Sequence, residues 1–270
     1  MSTYLKDGDV EEGAAASLYP MMTENPELRW AFIRKIYAIL TVQLLLTVAV
    51  CAVVVALHPT ADFLVSTNLG RFLFNASLVM PFARIGSNEE EDGCSPRNAG
   101  QDREVDGSRA MLLIPMYIFR QMHPVNFVFL GLYTLSISFL VGFACALTNG
   151  RAVLEAASVT VVLFLSLTLY TYWAARRGHD FQFLRPFLFS SLTTLIFFGF
   201  LQLFFPFSGI ASMIYSIIGI IIFSGYVIYD TDDLIKRYSY DEYIWASCRL
   251  YLDIINLFLL LLRLFGSNRE

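Results

Sequence analysis

From Pro186 to Tyr229 the chain runs 44 residues without one aspartate, glutamate, lysine, arginine or histidine. About 20 apolar residues suffice for a helix to cross the hydrocarbon of a bilayer. The run is therefore too long for one crossing and fits two. Pro206 and Gly209, in FFPFSG, predict a tight turn between a pair of antiparallel helices. The same reading finds further spans. Ile36–Leu57 is an uncharged run of 22 residues, closed by His58-Pro59. Val125–Leu147 is uncharged and long enough to span, and Ala156–Ala175 lies between Arg151 and Glu155 on one side and Arg176-Arg177 on the other. A last helix is predicted over Tyr243–Phe265. Composition agrees: only 16% of the residues are charged, against about 25% in soluble domains. Lipid is the expected solvent.

The region after the first span is irregular. Phe72–Ala83 and Met111–Phe119 are apolar but too short to cross singly. Together they make about one transmembrane helix. Between them Arg84–Ala110 carries seven acids and four arginines, a disorder-like composition. A single second helix interrupted by a polar insert is the simplest reading, and a retained intron or gene-model error would produce it. A true hydrophilic loop between half-helices is the rival. The expected fold is thus an all-α membrane protein of seven transmembrane helices, the second of them broken. Residues 1–29 are expected to be a mobile acidic tail, and 30–266 the transmembrane domain. Arg29, Arg34 and Lys35 are expected to form a basic collar. With the second helix counted whole, and the insert and Arg249 left aside, ten basic residues fall on the side of the N-terminus and four on the other, which predicts a cytoplasmic N-terminus. No cleavable leader is visible, so the first span would act as the targeting signal.

Several classes are disfavoured. The net charge of −4 sits at the ends and in the insert, which argues against a nucleic-acid partner. His58, His123 and His179 form no metal-ligand pattern. Cys51, Cys94, Cys145 and Cys248 show no pairing or zinc-type spacing and read as packing thiols.

Two acids stand where an acid is expensive. Asp230 follows the apolar stretch Ile220–Tyr229, and Asp253 lies inside the last span. An ionisable residue in a spanning helix is a functional-site hypothesis by default. Two carboxylates at close range cannot both ionise freely, so such a pair shares a proton and can part when fully ionised. It can also bind a hard cation, weakly, because calcium needs about six to eight oxygens. The bland readings are open too. Asp230 can be solvated at a helix end, like Asp232 and Asp233. Arg249, one turn before Asp253, can form an ordinary salt bridge within the helix. Gln43, Gln202 and Asn256 read as helix–helix hydrogen bonders, and the terminal Tyr and Trp residues as interfacial anchors.

Four stretches, PELRWAFIRKIYAILTVQLLLTVAV (26–50), HPVNFVFLG (123–131), SLTLYTYWAARRGHDFQFL (166–184) and YDTDDLIKRYSYDEYIWASCRLYLDIINLFLLLLRLF (229–265), resemble the Bax inhibitor superfamily, and specifically its lifeguard branch. The resemblance implies a last helix at the centre, wrapped by the other six. It implies a proton-sensitive calcium leak across an internal membrane and suppression of cell death. The endoplasmic reticulum or Golgi is the compartment expected, with vacuole and plasma membrane as alternatives. The family's aspartate latch maps by motif onto Asp230 in YDTD and Asp253 in YLDIIN. Calcium and protons would be the ions handled, with no catalytic residues and no cofactor. Cell-death or stress-signalling membrane proteins would be the partners besides the bilayer. Two departures stand out: the broken second helix, and Arg249 where plant relatives usually carry a small or neutral residue. Arg249 is the expected modulator of the latch.

Two other function classes remain. A membrane scaffold that binds cell-death regulators without ion flux fits the same sequence. An intramembrane aspartyl protease would explain Tyr229-Asp230, but its Gly-x-Gly-Asp partner motif is missing, since Asp253 follows Leu250-Tyr251-Leu252.

Overall fold

The computed structural model describes residues 26–56, 125–205, 209–238 and 242–267. The expected second span with its polar insert, most of the expected N-terminal tail and the expected Pro206 turn lie outside them. The described residues form six helices: α1 Pro26–Ala56, α2 Val125–Ala146, α3 Gly150–Arg176, α4 Leu184–Phe204, α5 Gly209–Lys236 and α6 Tyr243–Ser267. Among these residues there is no strand. The spans agree with the uncharged runs, and α4 and α5 divide the 44-residue run at the expected turn. Three boundaries move. Helix α1 begins before the basic collar, α3 begins at Gly150, and α5 continues past the uncharged run through the charged DTDDLIK segment.

Local chemistry accounts for several ends. Asn149 caps α3: its side-chain oxygen accepts from the Arg151 amide at 3.2 Å. The other end of α3 closes in a Schellman motif. Gly178 adopts φ +79, its amide donates to Ala175 O at 3.1 Å, and the His179 amide donates to Ala174 O at 3.2 Å. Only glycine enters that left-handed region without strain. This fixes the RRGHDF turn. Pro186 sits in the first turn of α4, where its missing amide breaks no helical bond.

Helix α6 is the hub. It packs against α1, α2, α3 and α5, while α4 lies outside against α5. Nearly every α6 residue from Tyr243 to Leu257 is buried, polar ones included. The outer helices do the reverse. On α1, Val42, Leu45 and Val48 form an apolar stripe left exposed, and Phe187 on α4 and Ile221 on α5 are likewise exposed. A continuous apolar exterior of this kind is a membrane surface, not a water-facing one. Five of the six helices are long and apolar enough to cross a bilayer. The chain is a multi-pass membrane protein.

Close backbone approach and polar ties hold the helices, as expected where lipid removes the hydrophobic drive between them. A Cβ at Gly142 on α2 would stand 3.1 Å from the Cys51 Cα of α1. Gln43 on α1 donates to the Thr134 hydroxyl on α2 at 3.1 Å, which bears out its reading as an interhelical hydrogen bonder. The Thr47 hydroxyl of α1 stands 2.9 Å from both Ser138 Oγ of α2 and the Tyr251 phenol of α6, tying three helices at one level.

Candidate functional site

One end of the bundle gathers the last two turns of α5, the first half of α6, the start of α1 and the turn after α3. Its rim is aromatic and basic. Trp30 stacks on Tyr172 with ring centroids 6.2 Å apart, Arg177 lies 4.2 Å over Trp173, and Lys35 lies 3.3 Å over Tyr243. Inside the rim lie charged side chains, most of them buried.

Both acids singled out in the sequence are buried there: Asp230 is 3% exposed and Asp253 0%. Arg249 is 7% exposed and projects from α6 toward α5. One of its terminal nitrogens lies 3.9 Å from Asp230 Oδ1, and the other lies 3.9 Å from Asp233 Oδ2. The second also donates to the Tyr238 phenol at 2.6 Å. Charge-assisted hydrogen bonds run at about 2.7–2.9 Å, so the two carboxylate contacts are looser ion pairs. Asp253 follows Arg249 by one helical turn. Arg249 thus bridges α6 to two carboxylates of α5, a geometry the intrahelical reading did not anticipate. Burial pushes the Tyr238 phenol above its ordinary value, outweighing the Arg249 cation, so at physiological pH it stays neutral.

The expectation that Asp232 and Asp233 are solvated is corrected: they are 2% and 4% exposed. A buried carboxylate needs a partner. Asp232 meets Lys236 at 2.5 Å and Asp233 meets Arg237 at 2.9 Å, both one turn along α5. These contacts extend to the turn after α3. Asp232 accepts from the Phe181 amide at 3.4 Å, Lys236 donates to His179 O, and Arg237 reaches Asp180 at 3.2 Å. The RRGHDF turn is therefore bolted to the end of α5 that carries Asp230.

Arg29 is likewise no collar residue. It is buried, and its guanidinium donates to Leu234 O and Ile235 O at 2.8 Å each and to Tyr238 O at 2.5 Å. These include carbonyls that a helix C-terminus leaves without intrahelical partners. One arginine from the start of α1 thus caps the end of α5.

Asp230, Asp232 and Asp233 of α5 thus stand among Lys236, Arg237 and Arg249, with Asp180 of the turn also on Arg237. Among the described residues no group of three or more His, Cys, Asp or Glu could hold a metal ion. The donor set falls well short of a calcium shell.

The structure buries both Asp230 and Asp253 and brings Arg249 to Asp230, where the sequence reading paired the two carboxylates with each other and Arg249 with Asp253. That reading missed Asp233, Lys236, Tyr238 and Arg29. A signal for two of them was present: Asp232/Lys236 and Asp233/Arg237 have the i,i+4 spacing of a continuing helix. Nothing in sequence pairs Arg29 with residues some two hundred positions away.

Comparison with known proteins points the same way. Residues 107–270 match a family model described as "Inhibitor of apoptosis-promoting Bax1". Protein LIFEGUARD 3 of Arabidopsis thaliana is 50% identical over 262 residues, covering 96% of this chain and 94% of its own. Protein LIFEGUARD 4 of the same plant is 48% identical, covering 98% and 96%. A Golgi anti-apoptotic protein of vaccinia virus (strain Lister) is 34% identical, covering 90% and 88%. The chain belongs to the Bax inhibitor family, on its lifeguard branch.

Proposed function

We propose that the protein is a pH-sensitive calcium leak of an endomembrane that suppresses programmed cell death and modulates stress responses. In this reading seven helices cross the membrane, with the N-terminus cytoplasmic. The observation that carries it is the buried charge cluster between α5 and α6, where Arg249 spans to Asp230 and Asp233 beside Asp253. Such a cluster is costly in a bilayer and marks an ion or proton path by default. Asp230 and Asp253 act as the latch. Their shared proton holds α5 against α6, and full ionisation parts them and admits a cation. Arg249 modulates the latch by offering the carboxylates a fixed positive partner. No catalysis and no cofactor are involved. The names of two relatives, the vaccinia Golgi anti-apoptotic protein and the Bax inhibitor 1 of Schizosaccharomyces pombe, support the cell-death part of the reading and an internal membrane. Membrane proteins of cell-death or stress signalling are the proposed partners.

Reconstitution into calcium-loaded liposomes tests it. A leak that changes between acid and neutral pH is expected, and Asp230→Asn or Asp253→Asn should alter that dependence. Arg249→Ser should steepen it, and an unchanged profile would remove Arg249 from the switch. Absence of leak at every pH, with and without residues 84–110, would overturn the reading in favour of a scaffold without ion flux.

A further inference from the structure

The cysteine spacing suggests no pairing, yet helix packing brings two thiols together. Cys51 on α1 lies against the stripe of α2 that carries Cys145, and neither is in a disulfide. Cys51 faces one stripe of α2. Its Sγ approaches Ser138 O at 3.7 Å, and its backbone abuts Gly142. Ser138, Gly142 and Cys145 follow at helical spacing on that stripe. Side chains on a helix lean toward its N-terminus, so the Cys145 thiol leans back over Gly142, toward Cys51. Glycine at that level lets the Cys51 backbone of α1 come close against α2, one helical turn from Cys145. Access differs between the two: Cys51 is half-buried and Cys145 is buried.

We propose that Cys51 and Cys145 are a peroxide-oxidised thiol pair that closes into a disulfide between α1 and α2. The Cys51 thiolate attacks one oxygen of hydrogen peroxide. A sulfur–oxygen bond forms, the oxygen–oxygen bond breaks, and one water leaves with the protons. The Cys145 thiol then attacks the Cys51 sulfenic sulfur. The sulfur–sulfur bond forms, the sulfur–oxygen bond breaks, and a second water leaves. Two thiols are oxidised and one peroxide is reduced to two waters. Both cysteines lie near the ends of their helices away from the charge cluster, at the membrane face opposite the N-terminus. In the orientation proposed above, that face meets the oxidising side of an endomembrane, where disulfides persist.

The test uses the full chain in lipid nanodiscs, with Cys94→Ser so that three of its four cysteines remain. The sample is treated with hydrogen peroxide, alkylated with N-ethylmaleimide, digested without reductant and mapped by mass spectrometry. The expected result is a fall from three titratable thiols to one, a cross-linked Cys51–Cys145 peptide, and recovery of all three thiols on reduction with dithiothreitol. Adding Cys145→Ala should remove the cross-link and leave a Cys51 sulfenic acid that dimedone traps. Recovery of Cys51 and Cys145 both alkylated after peroxide, or of Cys51 joined to a cysteine of another chain, would overturn the proposal. The peptide map of the Cys94→Ser protein decides this even if the Cys145 variant folds poorly, and no calcium measurement enters it.

Discussion

Arg29→Ala is the most telling substitution for how the charged end is held. The Arg29 guanidinium makes three hydrogen bonds to α5-end carbonyls, at 2.5 to 2.8 Å, from a buried position. A hydrogen bond to a charged group contributes about 1.5–3 kcal/mol. Three from one guanidinium do not simply add, because its desolvation occurs once for all of them. Removing one side of a buried charged contact costs about 3–5 kcal/mol, and we expect Arg29→Ala to lower the unfolding free energy by that amount. Arg29→Lys keeps the charge but replaces a planar fork with a point ammonium, which cannot span three carbonyls, so its loss should be intermediate. Arg34 is exposed on the same helix, and Arg34→Ala should stay within about 0.5 kcal/mol of the parent. Denaturant titration in mixed micelles, followed by far-ultraviolet circular dichroism, measures all three. If Arg29→Ala unfolds together with Arg34→Ala, Arg29 is a headgroup residue after all and the cap has no energetic role.

Three further outcomes follow from the packing. Lys236→Met leaves Asp232 buried without its cation and should cost about 3–5 kcal/mol. The double variant Lys236→Met with Asp232→Leu should recover most of that, and a cycle showing simple additivity would contradict the pairing. Gly142→Val should destabilise by about 1–3 kcal/mol in the same titration, because the new atoms meet the backbone of Cys51 and the β-branched Val54. Gly131→Ala, with nothing within 4 Å of the added methyl, should be neutral or stabilise by up to about 1 kcal/mol; a loss there would show that propensity does not govern this surface.

The helices were legible because lipid demands long apolar runs, and the uncharged stretches mark α2 to α4 to within about a turn or two. The start of α1 and the end of α5 were not legible. A charge was taken as the signal that a helix had reached water. Arg29, Asp232, Asp233 and Lys236 are charged yet buried, because each finds a partner on its own helix or a neighbour. Their pairing is a property of the packed bundle. Local sequence shows the spacing of Asp232 and Lys236, but not that the RRGHDF turn closes over them. The latch residues were legible as two acids in apolar surroundings. The reach of Arg249 across to α5 was not, since Asp253 on its own helix offers the simpler partner. The approach of Cys51 to the stripe of α2 that carries Cys145 depends on how α1 lies on α2, which spacing does not encode.

The hub position of α6 has a consequence for how the molecule is made. Arg249, Asp253, Asn256 and Arg263 all lie on it, and each charged residue at the centre of an isolated span opposes insertion by about 2.5–3.5 kcal/mol. Helix α6 is also synthesised after α1 to α5. Its polar groups become tolerable only when the other helices already stand around the place it will fill. The earlier helices must therefore wait in the membrane with an open, polar seam until their common partner arrives.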